Sequence, residues 1–313
     1  MKSLTSSLLL ALALTTGAWV PVQAQTQTFK QLVAAHERKD YDSAYSGFKK
    51  LAEQGNARAQ FKLGGMYAKG QGVLKSVQKA MDWYHKAALQ GDFVAQYILD
   101  RMFKLDAPED EQQQVVAWYR KAAEQGDASA QFNLGEMYED GRGVPVDENQ
   151  AVAWYHKAAA QGNATAQYNL GGMHEDGRGV PKEDQQAVVW YRKAAVQGEA
   201  FAQFDLGRMY LHGQGVPKNE KQAVVWLRKA AVQGIPTAQT LLGSMYHLGI
   251  GLPENKQSAY FWWLLASAKG DQDAVRFRDR VERHLSPTQR AAAQAAARNW
   301  QPKTAVHSSN AIR

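Results

Sequence analysis

The 313-residue chain contains no cysteine. That absence excludes disulfides, a thiolate nucleophile and a lipid attached through an N-terminal Cys, so the fold has to rest on packing alone. Long apolar runs are also scarce. One lies in MKSLTSSLLLALALTTGAWVPVQAQ, where Lys2, the apolar stretch Leu8 to Leu14 and the small-residue signal Val22-Gln23-Ala24 read as an export leader too short to span a bilayer. The expectation is a signal peptide over 1–24, a mature chain from about Gln25, a periplasmic or secreted location, and no integral membrane segment after cleavage. Charge of one sign is nearly absent as a feature. The formal +7 becomes +6 once Lys2 is removed, both signs are interspersed, and the expected partners do not include nucleic acid. Order is not lacking, since 45% apolar residues and nine Trp exclude wholesale disorder.

What the chain has in abundance is repetition. Gly55, Gly91, Gly126, Gly162, Gly198, Gly234 and Gly270 recur at intervals of 36, 35, 36, 36, 36 and 36 residues, which only a repeat architecture produces. Eight residues before each of the last six stands Trp83, Trp118, Trp154, Trp190, Trp226 or Trp262. In AVAWYHKAAAQG the residues Ala151, Trp154, Tyr155, Ala158 and Ala159 fall at three- and four-residue steps, the face of a helix. The stretch after each spacer glycine puts Ala130, Leu134, Met137 and Tyr138 on one face of a second helix. That helix carries a glycine in its middle (Gly64, Gly135, Gly171, Gly207, Gly243). A mid-helix Gly costs about 1 kcal/mol relative to Ala, so its recurrence predicts a closely packed neighbour, here expected to be the Ala-Ala pair of the other helix.

Between the helices comes Gly-x-Gly-Val, usually with Pro145, Pro181, Pro217 or Pro253 close behind, a tight reversal followed by a helix stop. Ser76, Asp147, Asn219 and Asn255 share the position where the next helix starts and are good N-caps, with Glu183 the exception in that column. Together these motifs resemble the Sel-1-like repeat family, relatives of the tetratricopeptide repeats. The resemblance implies an all-α fold, a right-handed α-solenoid of antiparallel helix-turn-helix repeats of 36 residues, used as an adaptor surface for other proteins. Stacking is physically required, because one hairpin cannot bury its own apolar face. The expected layout is a reduced hairpin over 25–55, six repeat units over 56–270, capping helices over 271–300, opened by the capping-box spacing of Ser286 and Gln289, and a flexible tail over 301–313. The copy after Gly91 departs from the pattern: Asp100 replaces the mid-helix Gly and Gly-x-Gly-Val is missing, which reads as decay with an altered bend ahead of a recognition feature.

Chemistry has little foothold. Ser76 and Lys79 have the Ser-x-x-Lys spacing of penicillin-binding enzymes, but Ser76 sits in the N-cap column and the companion motifs are missing. No two of the eight His are four apart, as a His-Glu-x-x-His zinc site needs, and His174 takes a Tyr column, so it reads as a packed side chain. Asn163-Ala164-Thr165 is a sequon placed at a repeat corner. The expectation is therefore no catalytic residues, no metal and no cofactor. The partner is an unidentified protein or peptide, with self-association possible and a β-lactam- or cell-wall-fragment-binding or hydrolysing protein as the alternative reading.

The family resemblance puts the first helix of each pair on the concave side, so the positions seven, ten and fourteen after each spacer glycine form columns across it. These columns and the acids beside them supply the candidate partner-binding residues Arg101, Glu136, Glu139, Asp140, Glu175, Asp176, Asp205, Arg208 and His212. Glu139-Asp140 and Glu175-Asp176 end their helices, where the dipole disfavours anions. Arg142 and Arg178, two residues downstream, are the expected local counter-charges, and an acidic patch for a basic peptide is the sharper reading.

Overall fold

A computed structural model describes residues 22–104 and 109–303, so the expected leader falls almost wholly outside it. The chain divides into two units at Asp106/Ala107. The first holds α1 (Val22–Glu37), α2 (Tyr41–Glu53), α3 (Ala57–Lys69), α4 (Val77–Ala88) and α5 (Phe93–Lys104). The second holds α6 (Glu109–Glu124), α7 (Ala128–Asp140), α8 (Glu148–Ala160), α9 (Ala164–Asp176), α10 (Asp184–Val196), α11 (Ala200–His212) and α12 (Glu220–Val232). It continues with α13 (Pro236–Leu248), α14 (Lys256–Ser267), α15 (Gln272–Glu282) and α16 (Pro287–Arg298). Among the described residues there is no strand. Within each unit consecutive helices from α1 to α5 and from α6 to α15 pack on one another, and α16 packs back on α14, the arrangement of an α-solenoid.

The corners are built as the residue types require. Gly55, Gly126, Gly162, Gly198 and Gly234 all turn the chain with φ between +90° and +100°. The residue after the spacer glycine then caps the next helix: Asn56, Asp127, Asn163 and Asp271 accept the amide N–H of Ala59, Ala130, Ala166 and Ala274. Asn163, the sequon residue, is thus a helix cap. The other column behaves as read: Ser76, Asp147, Asn219 and Asn255 accept from Lys79, Gln150, Gln222 and Ser258, and Glu183 makes no cap bond. Ser286 and Gln289 form the reciprocal capping box of α16. The Lys303 N–H, within the expected loose tail, donates to Val232 O at 3.0 Å.

The mid-helix glycines are packing contacts, but the neighbour differs from the expected Ala-Ala pair. A Cβ on Gly64, Gly135 or Gly171 would meet the ring of Tyr84, Tyr155 or Tyr191 at 2.8, 2.6 and 2.4 Å; on Gly207 it would meet Leu227 at 2.7 Å and on Gly243 Trp263 at 2.6 Å. A large side chain lies flat over the bare backbone, burying more apolar area than two methyls would. Tyr155 is fully buried.

One buried polar feature recurs within both units. Gln60, Gln131, Gln167, Gln203 and Gln239 donate from Nε2 to the carbonyls of Ala52, Ala123, Ala159, Ala195 and Ala231 at 3.0 to 3.1 Å. The first four accept on Oε1 from Gln90, Gln161, Gln197 and Gln233, thirty residues on, at 2.7 to 2.9 Å. At Gln239 the position thirty on is Lys269, which donates to Gly234 O instead, and the Gln239 Oε1 is left without a partner. A buried amide that loses its partners costs about 1–3 kcal/mol. Gln203→Leu is accordingly expected to destabilise by about 2 kcal/mol and Gln239→Leu by about half that, because the latter also removes an unsatisfied atom. Equal losses in denaturant titrations would contradict the ladder.

Candidate interaction surface

The acidic pairs sit where their helices end, α7 at Asp140 and α9 at Asp176, and each pair splits its work. Asp140 and Asp176 reach solvent, with side chains 45% and 61% exposed, and each is met by the arginine two residues on, Arg142 and Arg178 (3.5 Å for the second pair). Glu139 and Glu175 turn inward, at 21% and 16% exposure. Glu139 accepts from the Tyr155 hydroxyl at 2.6 Å and from Arg178 Nη1 at 2.7 Å. Glu175 accepts from Tyr191 at 2.9 Å, Arg208 Nη2 at 2.5 Å and Gln214 Nε2 at 3.2 Å. The expected local neutralisation therefore holds for the aspartates only. The tightest bond of Arg178 reaches back 39 residues, because the residue between the two glycines of one corner overhangs the helix end of the preceding repeat.

Burial first, and then Glu139 beside Tyr155 and Asp205 and Glu175 beside Tyr191, pushes the two hydroxyls far above their ordinary range, so both stay protonated and donate. Asp205 also turns inward. Burial raises its carboxyl above the usual value, Arg208 Nε at 3.3 Å opposes that, and Glu175 adds to it. Glu136 stands close enough to Tyr155 to act on its hydroxyl. His212 is exposed at the end of α11. Arg101 belongs to the first unit, where its guanidinium lies over the Tyr97 ring at 6.0 Å. The structure thus joins Glu139 with Arg178, and Glu175 with Arg208 and Asp205, while Asp140, Asp176 and His212 remain solvent-facing. Sequence reading named Arg178 as a local counter-charge but missed its reach back to Glu139, and it missed Gln214 altogether; the signal available was an acid and a long polar side chain 39 apart in two successive copies.

A second column links adjacent hairpins. Arg120, Arg192 and Arg228 donate to the hydroxyls of Tyr138, Tyr210 and Tyr246, each eighteen residues on, at 2.5 to 2.9 Å. At the same two positions of the repeat between them stand His156 and His174. The His174 Nδ1 is buried without a hydrogen-bond partner, and His156 packs against Trp190. Burial, His174 and Lys193 together lower the His156 pKa from its ordinary 6.5. A base held below its unfolded value contributes stability above about pH 6.5, and that stability is lost as pH falls through the unfolded and then the folded value. His156→Arg combined with His174→Tyr, which rebuilds the neighbouring pair, is expected to flatten the fall in melting temperature between pH 7 and 5 (about the range in which His titrates). An unchanged slope would rule out this pair as its source.

Ser76 Oγ is occupied as the α4 cap at 3.3 Å from the Lys79 amide. Among the described residues no three His, Asp or Glu converge as a metal-ligand set, and no helix is long and apolar enough to cross a membrane.

Comparison with known proteins places these corners in context. A family model described as Sel1 repeat matches residues 57–92, 113–127, 128–163, 164–199, 200–235 and 236–271, passing over most of the copy in which Asp100 replaces glycine. Among solved structures, a Sel1 repeat protein from Oxalobacter formigenes is 35% identical with a TM-score of 0.61, over 83% of this chain and 76% of that one. A protective antigen of uropathogenic Escherichia coli displaying an SLR fold is 32% identical with a TM-score of 0.64, over 91% of this chain. The chain spans 62% of that antigen's length. No curated protein matches.

Proposed function

The chain belongs to the Sel1 repeat family, and from that premise we propose that it is an exported, non-catalytic scaffold binding a protein or peptide across the helix ends of the second unit. The observation that carries this is the division of labour at α7 and α9. Glu139 and Glu175 are spent on Tyr155, Arg178, Tyr191 and Arg208 and stiffen the surface, whereas Asp140 and Asp176 present their carboxylates to solvent. A rigid surface lowers the ordering cost of association. Glu136, Asp140, Asp176 and His212 would meet the partner, and Glu139, Glu175, Asp205 and Arg208 would hold the surface in shape. Arg101 is a candidate contact of the first unit.

Crosslinkable mature protein, residues 25–313, exposed to envelope and culture extracts beside Asp140→Lys/Asp176→Lys tests this. A partner captured by the first and lost from the second, with both folded, is the expected result. Equal capture would move the interface elsewhere. The catalytic alternative has its own arm: β-lactam hydrolysis by the wild type that is lost in Ser76→Ala and not restored in Ser76→Asn, which keeps a cap, would displace the scaffold reading.

A further inference from the structure

The stack of repeats ends on a cleft of about 410 Å³ formed by α13, α14 and the segment from α15 to His284. One of its lining residues, His247, belongs to a column that runs through the second unit. Glu139 and Glu175 are each met by the corner residue 39 positions on, Arg178 and Gln214, and in the next copy the apolar pair Leu211 and Ile250 packs in one cluster. His247 stands next in that column. The residue 39 beyond it is Ser286, the cap of α16, and no Gly-x-Gly corner follows α15 to reach back. The His247 Nδ1 is without a hydrogen-bond partner, and its ring lies 5.6 Å from Trp263.

The cleft is apolar at its base and cationic around it. Trp263 and Phe277 pack at 5.4 Å with the buried Val281 beside them. The Trp263 indole N–H is spent on Thr240 O at 3.1 Å, and the Ser244 hydroxyl on the same carbonyl at 3.0 Å. The polar groups left to a ligand belong to Arg280, Lys256, His247 and His284. The Arg280 guanidinium has no ion pair among the described residues, and Lys256 meets Glu254 at 3.4 Å. His284 donates from Nδ1 to Arg280 O at 3.2 Å, which leaves Nε2 as the other polar atom of that ring. No carboxylate lines the cleft.

We propose that this cleft binds a small free carboxylic acid with an aromatic body: the body fills the space over Trp263 and Phe277, and the carboxylate takes the forked guanidinium of Arg280 with Lys256 and the imidazoles around it. The volume is in the range of small-molecule sites rather than of protein interfaces. A planar monocarboxylate suits a single guanidinium, whereas a doubly charged phosphate would cost far more to dehydrate against so apolar a base. The site stands independently of the scaffold reading, since it uses none of the residues assigned to the partner surface.

Titration of the full chain with 3-phenylpropionate, 3-phenylpropionamide and a short peptide ending in Phe decides it, read by calorimetry and by the Trp263 indole N–H resonance. The acid is expected to bind and shift that resonance, the amide at least about tenfold more weakly, a difference of about 1.4 kcal/mol. Arg280→Ala should weaken the acid by a similar factor and Arg280→Lys by less, while Arg276→Ala, an exposed arginine paired to Asp273 outside the cleft, should leave it unchanged. Acid and amide binding alike, an unaffected Arg280→Ala, or no response at about 10 mM acid, where a Kd near 1 mM would register, overturns the proposal. Binding of the peptide without the free acid overturns it too and assigns the cleft to a chain terminus.

Discussion

Gly179→Ala is expected to lower the stability of the second unit by about 3–5 kcal/mol, whereas Gly162→Ala should cost about 1 kcal/mol. Both glycines have positive φ, +64° and +90°, so both substitutions carry the left-handed penalty of an L residue. The difference lies in what the new methyl meets. At Gly162 nothing stands within 4 Å. At Gly179 the Cβ would come 2.4 Å from the carbonyl oxygen of Glu148 and 2.6 Å from its carbon, the first residue of α8. That is backbone, which has no rotamer to adopt, so the first turn of α8 or the whole corner has to move. Gly215 approaches Asp184 at the start of α10 in the same way, at 2.3 Å. Denaturant titration of the three alanine variants checks this: similar losses at 162 and 179 would mean the corner yields freely and that the close approach is not what positions Arg178 over Glu139.

The second large effect is expected at Arg208. Its guanidinium contacts Glu175 at 2.5 Å, Asp205 at 3.3 Å and Gln214 Oε1 at 3.0 Å, and both carboxylates are only 16% exposed. Arg208→Ala leaves two inward carboxylates without a counter-charge and should destabilise by about 2–3 kcal/mol at neutral pH, below the figure for a fully buried pair because the arginine is itself 28% exposed. The loss should also depend on pH. Burial already holds the Asp205 carboxyl above its ordinary 3.8, and removing Arg208 pushes it further up. For an acid whose folded value is raised, the native state binds the proton more readily than the unfolded chain. Its contribution is therefore present below the unfolded value and is lost as pH rises through the folded one. The gap between wild type and variant is thus expected to be widest at pH 7 and to narrow as pH is lowered toward about 4. A gap that does not change with pH would assign the arginine a packing role alone.

Much of this protein could be read along the chain, and the reason is that the readable parts are local. Periodic Ala, Leu and Trp or Tyr positions mark helix faces, positive-φ glycines mark reversals, and Asp147, Asn219 or Ser286 mark helix starts, because burial periodicity, backbone conformation and capping act within a few residues. The column that pairs Gln203 with Gln233 was written in the sequence as plainly as the glycines, yet a polar side chain beside a turn gives no sign of whether it is buried. The glycines Gly135 and Gly171 signalled a close contact without saying that a tyrosine ring would provide it.

The sequence by itself determined the hairpin, its period and the all-helical stack, each being a consequence of local geometry repeated at 36 residues. Only the tertiary structure decided which charge meets which. Arg178 lies two residues from Asp176 and 39 from Glu139, and it bonds more closely to the distant one, because stacking lays each corner over the helix end of the repeat before it. Beyond His247 the sequence carries no further Gly-x-Gly corner of the kind that brings Arg178 to Glu139 and Gln214 to Glu175, and the cationic cleft lies against that residue.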